Sequence, residues 1–269
     1  DLHSFPTRRS SDLNAGLDRV WIDSEDALAL AGWEHAERGR PLRIAAIRFP
    51  RASNATDLDA LAAEPGVTVT MTADPDVVLD SDIAVLPGSR ATVDDLTWLR
   101  TRGLADAVVS RARLGRPVLG ICGGYQMLAT VIDDPVESGA GRVEALDLLP
   151  VTVSFGQGKV LGTPSGHWRS HAVTAYAIHH GRTTVEQTAE PFLDGCRVAA
   201  VWGTTWHGAF ENDGFRRAWL TEAAQQAGRT WAPAPGAPGF DALRESMLDR
   251  LADAIAEHLD TDALLRLVS

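Results

Sequence analysis

Short apolar runs alternate with amphipathic stretches through the middle of the chain. Leu42 to Phe49 and Val67 to Met71 have the length and apolar character of strands. Between such runs, apolar residues recur at helical spacing, as in Leu104 to Leu114. Strands and helices alternate in this way in a parallel sheet that is covered by helices on both faces. The pattern therefore predicts an α/β fold with a mostly parallel, twisted sheet.

The other predicted elements continue this alternation. The further strands are Ile83 to Leu86, Pro117 to Ile121, Val151 to Phe155, Ala172 to His179 and Arg197 to Trp202. The further helices are Asp57 to Ala63, Asp94 to Arg100 and Gly124 to Thr130. We expect the last three of these strands to form an antiparallel extension of the sheet.

The first 40 residues do not follow the pattern. Residues 1–13 show neither strand nor helix periodicity, so we expect a disordered or non-native tail there. Residues 14–40 are expected to be the remnant of a preceding domain or a linker. The predicted α/β domain then comprises residues 41–228.

A second break lies near the C-terminus. Three prolines and two glycines occur between residues 229 and 239, which predicts a linker because a helix cannot continue through them. Apolar residues then recur four apart from Leu243 to Leu259, which predicts a packing helix within residues 240–269.

The composition is that of an ordinary globular protein. Apolar residues make up 45% of the 269 residues and charged residues 23%, and the formal net charge is −11. Because such a surface repels phosphates, we expect no binding to nucleic acid or to anionic membranes. The chain lacks an apolar run that could span a bilayer and the apolar core of a secretory signal. We therefore expect a soluble, cytoplasmic enzyme or binding protein.

The segment Val118 to Leu128 carries the strongest chemical signal. A predicted strand runs directly into Gly120-Ile-Cys122-Gly-Gly124. This is the turn G-x-nucleophile-x-G with cysteine as nucleophile, in which the glycines admit a strained backbone and the approach of substrate. The helix that follows would favour the thiolate, and the amide of Gly123 is placed as an oxyanion donor. The alternative is a buried structural cysteine.

A second strand ends in a turn at the same predicted edge of the sheet. The strand from Ile83 to Leu86 is followed by Pro87-Gly88-Ser89. Ligands of open parallel sheets bind beyond the carboxyl ends of the strands. We therefore expect Gly88 or Ser89 to offer a second amide to an oxyanion, although Pro-Gly-Ser is also a common turn.

A cysteine hydrolase needs a base within hydrogen-bond reach of the sulfur. His207 follows a predicted strand and precedes a glycine, which favours it over His179 and His180 without excluding them. His167 and His171 have a spacing that can bind metal on a helix, but an acidic third ligand is not evident. We expect no metal site.

Together these segments resemble the class I, cysteine-dependent glutamine amidotransferases, and within them the glutaminase part of the cobyric acid synthase family. The matching motifs occur in the family's order between about residues 20 and 225. They are Ile22-Asp-Ser-Glu-Asp26, Ser53-Asn-Ala-Thr-Asp57, Leu86-Pro-Gly-Ser89, Gly120 to Leu128, Ile178-His179 with Gly181-Arg-Thr183, and His207-Gly-Ala-Phe-Glu-Asn-Asp213. The Cys-Gly-Gly-Tyr-Gln turn is specific to a small group of amidotransferases.

The resemblance implies a flavodoxin-like fold and roles for particular residues. Cys122 is the implied nucleophile and His207 its partner. The implied oxyanion and glutamine-binding residues are Gly88, Ser89, Gly123 and Gln126. The implied activity is hydrolysis of glutamine to supply ammonia. In cobalamin biosynthesis this ammonia serves the ATP-dependent amidation of peripheral carboxylates of a corrinoid, adenosylcobyrinic acid a,c-diamide.

The chain departs from the wider family at two places. Other class I amidotransferases carry a glutamate where this chain has Ala209, and the cobyric acid synthase group is similar in lacking it. The group that orients His207 is therefore open. Glu211 is the candidate by proximity, with a solvated loop carboxylate as the alternative. The family also shows a glutamate in place of Ala177, and a contact made by that glutamate would be missing.

The sequence lacks the P-loop pattern G-x-x-x-x-G-K-[ST]. Because the family's full-length enzyme carries an N-terminal ATP-binding synthetase domain, we expect this chain to be a C-terminal piece or a separate glutaminase subunit. We expect no cofactor in this chain, with ATP and Mg²⁺ on the synthetase domain. The expected partners are glutamine, that domain or subunit, and the corrinoid bound there.

Three other functions stay open at this point. One is the glutaminase subunit of a complex that amidates the cell-wall precursor lipid II, which shares the Cys-Gly-Gly-Tyr-Gln turn. Another is a different cysteine hydrolase on the same architecture, such as a peptidase or a deglycase. The third is a non-catalytic binding module that keeps the fold as a scaffold.

Overall fold

The computed structural model describes residues 41–54, 56–186 and 189–258, together with residue 266. The predicted tail at residues 1–13 and the predicted remnant at residues 14–40, with its motif from Ile22 to Asp26, lie outside the described residues. Leu259 and most of the chain beyond it also lie outside them.

A seven-stranded sheet forms the centre of the molecule. Its strands, in spatial order, are β13 (Glu190–Phe192), β14 (Gly195–Val198), β15 (Val201–Thr204), β6 (Val118–Ile121), β4 (Ile83–Leu86), β1 (Leu42–Ile47) and β3 (Val67–Thr72). The five strands from β15 to β3 are parallel, and β13 and β14 extend the sheet in antiparallel pairing. The predicted α/β fold with a mostly parallel sheet is confirmed.

Alternation along the strands builds an apolar core on each face of this sheet. In β1, Leu42 and Ile44 join the cluster that contains Trp219, whereas Ala45 and Ile47 join the cluster on the opposite face. Helices pack on both faces. They are α1 (Thr56–Ala62), α2 (Pro75–Asp80), α3 (Thr92–Thr101), α4 (Leu104–Arg113), α5 (Gly123–Met127), α6 (Asp213–Gln226) and α7 (Phe240–His258). The helices of the described part are too short or too polar to cross a bilayer.

A second sheet and two strand pairs stand beside the central sheet. The second sheet has the order β12 (Ala177–Val185), β9 (Val151–Gly162), β7 (Val131–Asp134) and β8 (Gly141–Glu144). The pairs are β10 (Ser165–Trp168) with β11 (His171–Thr174), and β2 (Ala52–Ser53) with β5 (Gly88–Ser89). The pair β2 and β5 joins the loops that follow β1 and β4, and it lies beside the candidate active site.

Two predicted strands are wrong as single strands. Arg197 to Trp202 is divided between β14 and β15, because the chain reverses at Ala199, whose φ is 51°. The apolar run across this turn contains neither glycine nor proline, so the pattern gave no sign of it. Ala172 to His179 is likewise divided between β11 and β12, and Tyr176 between them pairs with His207 instead. Helix α2 was not predicted.

The segment after α6 is the one predicted as a linker followed by a packing helix. Residues 229–239 contain neither helix nor strand. Helix α7 begins at Phe240, which is buried against Arg216 of α6, and Met247, about two turns further along the same face, is also buried. Of the apolar series that predicted this helix, Leu243 and Met247 pack on the core, whereas Ile255 is exposed, so the first half of the helix packs on the domain.

Candidate active site

Cys122 occupies the turn between β6 and α5 in a strained conformation. Its φ is 50° and its ψ is −111°, a region that residues other than glycine rarely adopt. The turn is held on both sides, because the Cys122 amide donates to the Thr204 carbonyl at 2.8 Å and its own carbonyl accepts from the Gln126 amide at 3.0 Å. Backbone strain of this kind concentrates at functional sites.

The glycines around Cys122 serve close packing of the backbone. A Cβ on Gly124 would overlap the carbonyl oxygen of Leu86, and a Cβ on Gly120 would lie 2.7 Å from the amide nitrogen of Tyr125. Helix α5 comprises only Gly123–Met127, which is shorter than the predicted helix Gly124 to Thr130. The helix dipole therefore contributes less at the sulfur than the sequence pattern suggested.

The two predicted oxyanion loops meet at the cysteine. A Cβ on Gly123 would lie 2.9 Å from the amide nitrogen of Ser89, and Gly88 pairs with Ser53 across β2 and β5. The Ser89 hydroxyl donates to a carboxylate oxygen of Asp95 at 2.6 Å. The Ser89 hydroxyl is thus engaged with Asp95, and the backbone nitrogen of Ser89 is the group that lies next to Gly123.

His207 is fully buried beside Cys122 and is fixed from several directions. Its backbone amide and carbonyl both bond with Tyr176 at 2.9 Å, and the two rings stack with centroids 5.4 Å apart. Nε2 of His207 lies 3.4 Å from the side-chain nitrogen of Asn54, and Nδ1 lies 3.6 Å from a carboxylate oxygen of Asp57. The imidazole therefore spans from a buried carboxylate to the nucleophile.

Asp57 is the carboxylate that the sequence reasoning missed. It is 1% exposed, and it accepts hydrogen bonds from the amides of Gly208 at 3.0 Å and Phe210 at 3.1 Å. These two bonds fix its carboxylate beneath the loop that carries His207. The signal in the sequence was the motif from Ser53 to Asp57, which matched the family without indicating a role for its carboxylate.

Glu211, the predicted candidate to orient His207, is placed differently. One carboxylate oxygen of Glu211 pairs with Arg244 of α7 at 3.2 Å. The side chain lies in the 3₁₀ helix Ala209–Glu211, and Asp57 of α1 fills the position at Nδ1 instead. Proximity in sequence was misleading here, because α1 approaches the loop from a distant part of the chain.

The charges at the site favour a protonated His207. Burial works against the imidazolium, but the negative charge and hydrogen bonding of Cys122 and the neighbouring Asp57 carboxylate raise the pKa of His207 to about 10. Burial lowers the pKa of His179, whose Nδ1 bonds with the Gly181 carbonyl at 2.7 Å. The pKa of His207 is thus raised and that of His179 lowered. Of these two candidate bases, His207 is the one whose surroundings favour an imidazolium beside a thiolate.

A cavity of about 430 Å³ opens beside Cys122. Gln126 lines it but is 2% exposed, accepting from the Thr92 hydroxyl at 3.1 Å and donating to the Gly181 carbonyl at 3.4 Å. Both ends of the Gln126 side-chain amide are thus engaged with the protein, and the residue forms part of the cavity wall. Besides Cys122, the charged and ionisable side chains in the lining are Arg90, Glu137, Lys159, His179 and His180.

His167 and His171 do not form the metal pair considered from their spacing. They lie on the two antiparallel strands of the β10–β11 hairpin, where Trp168 rather than His167 is opposite His171. Within the described residues, no group of three or more histidine, cysteine, aspartate or glutamate side chains is arranged to hold a metal ion.

Comparison with known proteins identifies the family. Residues 43–215 match the CobB/CobQ-like glutamine amidotransferase domain. The chain belongs to that family. The chain is 52% identical over 255 residues to the cobyric acid synthase of Cutibacterium acnes, covering 93% of this chain and 53% of the relative. It is 56% identical over 227 residues to the cobyric acid synthase of Streptomyces avermitilis, covering 84% of this chain and 45% of the relative.

These relatives confirm the resemblance drawn from the motifs. The chain spans about half the length of the curated relatives that it matches. A crystal structure of a glutamine amidotransferase shares the fold, with a TM-score of 0.52 and 16% identity, over 68% of this chain and 98% of that one. In this member of the CobB/CobQ-like family, the Asp57 carboxylate lies beside Nδ1 of His207, and the position two residues after the histidine is Ala209.

Proposed function

We propose that this chain hydrolyses the side-chain amide of glutamine, with Cys122 as nucleophile, His207 as acid and base, and Asp57 as the group that orients His207. One observation carries the proposal. A strained cysteine at the end of a parallel strand stands beside a buried histidine whose other ring nitrogen faces a buried carboxylate. Nucleophile, base and orienting group in this order are the parts of acyl-transfer catalysis.

In the first half of the reaction, the Cys122 thiolate attacks the carboxamide carbon of glutamine. The carbonyl oxygen becomes an oxyanion, and the backbone of Gly123 and Ser89 supplies its donors. The carbon–nitrogen bond then breaks, and the departing nitrogen takes the proton of the His207 imidazolium to leave as ammonia. The products of this step are ammonia, a γ-glutamyl thioester on Cys122 and a neutral His207.

In the second half, water hydrolyses the thioester. Nε2 of the neutral His207 accepts a proton as the water oxygen attacks the thioester carbon, and the carbon–sulfur bond breaks. Glutamate leaves, and the thiolate and the imidazolium are restored. Asp57 keeps hydrogen on Nδ1 in both the imidazolium and the neutral ring, because a carboxylate 3.6 Å away stabilises that hydrogen.

The rim of the cavity matches the two charges of a free amino acid. Lys159 and Arg90 offer positive charge to the α-carboxylate, and Glu137 offers negative charge to the α-ammonium. Lys159 is the single lysine among the 25 basic residues of the chain, and it lies in this lining. We infer that these side chains select free glutamine over glutamine within a peptide, whose α-groups are uncharged amides.

We extend the proposal to the larger protein on the basis of the relatives. Two relatives about twice as long as this chain are named cobyric acid synthase. We propose that the ammonia passes to a synthetase domain or subunit in the cytoplasm. With ATP and Mg²⁺ bound there, that partner would amidate peripheral carboxylates of adenosylcobyrinic acid a,c-diamide in cobalamin biosynthesis.

The test is the release of glutamate from glutamine by the purified chain. We expect steady hydrolysis in the wild type and its loss in Cys122→Ser. The matched control is Cys196→Ser, since Cys196 is buried, contacts the Tyr125 hydroxyl at 3.9 Å and has its pKa raised by burial. Hydrolysis that persists in Cys122→Ser would overturn the proposal, and cleavage of peptides in preference to glutamine would favour a different cysteine hydrolase.

A further inference from the structure

Asn54 has an unusual backbone and an unusual neighbour. Its φ is 54°, in the left-handed region that asparagine tolerates better than most residues. It follows Ser53, whose pairing with Gly88 fixes the loop against the turn after β4. Its side chain lines the cavity together with Cys122, and its amide nitrogen lies 3.4 Å from Nε2 of His207.

Asn54 and Cys122 are thus both candidates to bond with Nε2 of His207. The protonation state of the ring decides which of the two it can bond. When the ring is protonated, Nδ1 faces Asp57, so the hydrogen on Nε2 is the one available to the sulfur of Cys122. When the ring is neutral with hydrogen on Nδ1, Nε2 is an acceptor, and the side-chain N–H of Asn54 is a donor within reach. Under the proposed mechanism the ring is neutral while Cys122 carries the glutamyl group.

We propose that Asn54 is a positioning residue that holds the neutral His207 ring in place during the life of the thioester. The inference rests on the proposed function. The other neighbours of the ring do not replace this contact, since Asp57 faces Nδ1 and Tyr176 stacks on the ring plane. Asn54 keeps Nε2 directed toward the thioester until the hydrolytic water displaces the Asn54 N–H. Nε2 then accepts a proton from that water as the water oxygen attacks the thioester carbon.

The key variant is Asn54→Gly, because glycine adopts positive φ without strain and the backbone of the loop is retained. We expect kcat for glutamine to fall about 10-fold with KM within twofold of wild type. Acylation should be spared, so the rate of Cys122 alkylation by diazo-oxo-norleucine should stay within twofold. Acid quench and intact-mass measurement should show a larger fraction of glutamyl thioester than in the wild type.

Two further variants distinguish the loss of the Asn54 N–H donor from a change in side-chain size and from a change in backbone strain. Asn54→Asp keeps the size of the side chain but removes the N–H, so it should be as impaired as Asn54→Gly. Asp147→Gly removes a residue with φ of 53° in another loop and should match the wild type.

Three outcomes would overturn the inference: turnover of Asn54→Gly within twofold of wild type, equal losses of turnover and alkylation without accumulated thioester, or full activity in Asn54→Asp. Cys122→Ser, measured in parallel, keeps this result distinct from a failure of the proposed function. If Cys122→Ser is inactive and Asn54→Gly is normal, the inference about Asn54 is wrong and the glutaminase proposal stands.

Discussion

The Asp57 carboxylate lies 3.6 Å from Nδ1 of His207, although the two residues come from opposite ends of the domain. Asp57 lies in the first turn of helix α1, which follows β1 and β2 in the chain, whereas His207 follows β15. The loop amides of Gly208 and Phe210 bind the same carboxylate, so the backbone fixes its position. A carboxylate held this way can orient the imidazole and stabilise its positive charge.

Substitution of Asp57 by asparagine is expected to reduce turnover strongly. The amide is close in size to the carboxylate but carries no charge, and its N–H can favour the wrong tautomer of His207. We expect kcat for glutamine hydrolysis to fall on the order of 10²–10⁴-fold. The matched control is Glu211→Gln, which removes the carboxylate that lies four residues after His207 in the chain and pairs with Arg244. This variant should keep kcat within about threefold of wild type. Equal losses in the two variants would contradict the assignment.

The alkaline side of the pH profile should depend on Asp57. The pKa of His207 is raised to about 10, so the proton needed by the departing ammonia is present at neutral pH and is lost as pH rises through about 10. In Asp57→Asn the fall in kcat/KM should begin at lower pH. Among the neighbours of the His207 ring, burial raises the pKa of Tyr176 to about 12 and lowers that of His179. Neither group therefore titrates between neutral pH and about 10.

The same shift has a consequence for stability. Because the folded-state pKa of His207 lies above its ordinary value of 6.5, the protonated ring contributes its full stabilisation below that value and loses it as pH rises through about 10. Wild type should therefore lose its advantage in unfolding free energy over His207→Gln between these limits. A difference between the two proteins that stays constant from pH 6 to pH 10 would contradict the raised pKa.

Recognition of the α-carboxylate should depend on Lys159. We expect Lys159→Met to raise KM for glutamine roughly 5-fold, with little change in kcat, because the group acts in binding at an exposed rim. KM for glutamine α-methyl ester, which lacks that negative charge, should change little. Arg142→Met is the control, since Arg142 is exposed on β8 and does not line the cavity. An equal rise in KM for both substrates would argue against a charge contact.

A methyl group at Gly88 should disturb the base. A Cβ there would lie 2.9 Å from Cε1 of His207 and 2.8 Å from the carbonyl oxygen of Ser53. We expect Gly88→Ala to lower kcat at least about 10-fold, since small misplacements of reacting groups are costly. Gly162→Ala is the control, because a Cβ at Gly162 meets nothing within 4 Å. Normal turnover in Gly88→Ala would show that the loop can shift away from the ring.

The central layers of the fold were predictable because parallel strands buried on both faces leave continuous apolar runs in the sequence. The turn at Ala199 was not predictable, since Val198, Ala200 and Val201 continue the apolar run without glycine or proline. The division at Tyr176 depends on its pairing with His207, which is a tertiary contact. The local pattern of apolar residues thus predicts which segments are buried. It predicts a chain reversal only where glycine, proline or another turn residue marks it.

At the site, the sequence allowed Cys122 to be proposed as the nucleophile, because glycines stand at fixed positions around it in the turn. His207 could be ranked first from its place after a strand, but the residues alone did not exclude His179. Asp57 and Asn54 could not be assigned roles, because their contacts with His207 arise only when β1 and β15 stand in the same sheet. Long-range approach of this kind leaves no local spacing to detect.

The most direct test of the account is the identity of the atom that carries the glutamyl group. The chain should be incubated with glutamine, quenched in acid during turnover, and digested for mass spectrometry of its peptides. We predict a γ-glutamyl thioester on the peptide that contains Cys122 and none on the peptide that contains Cys196. If both the wild type and Asn54→Gly form glutamate but neither carries an adduct on Cys122 during turnover, covalent catalysis by this cysteine would be contradicted.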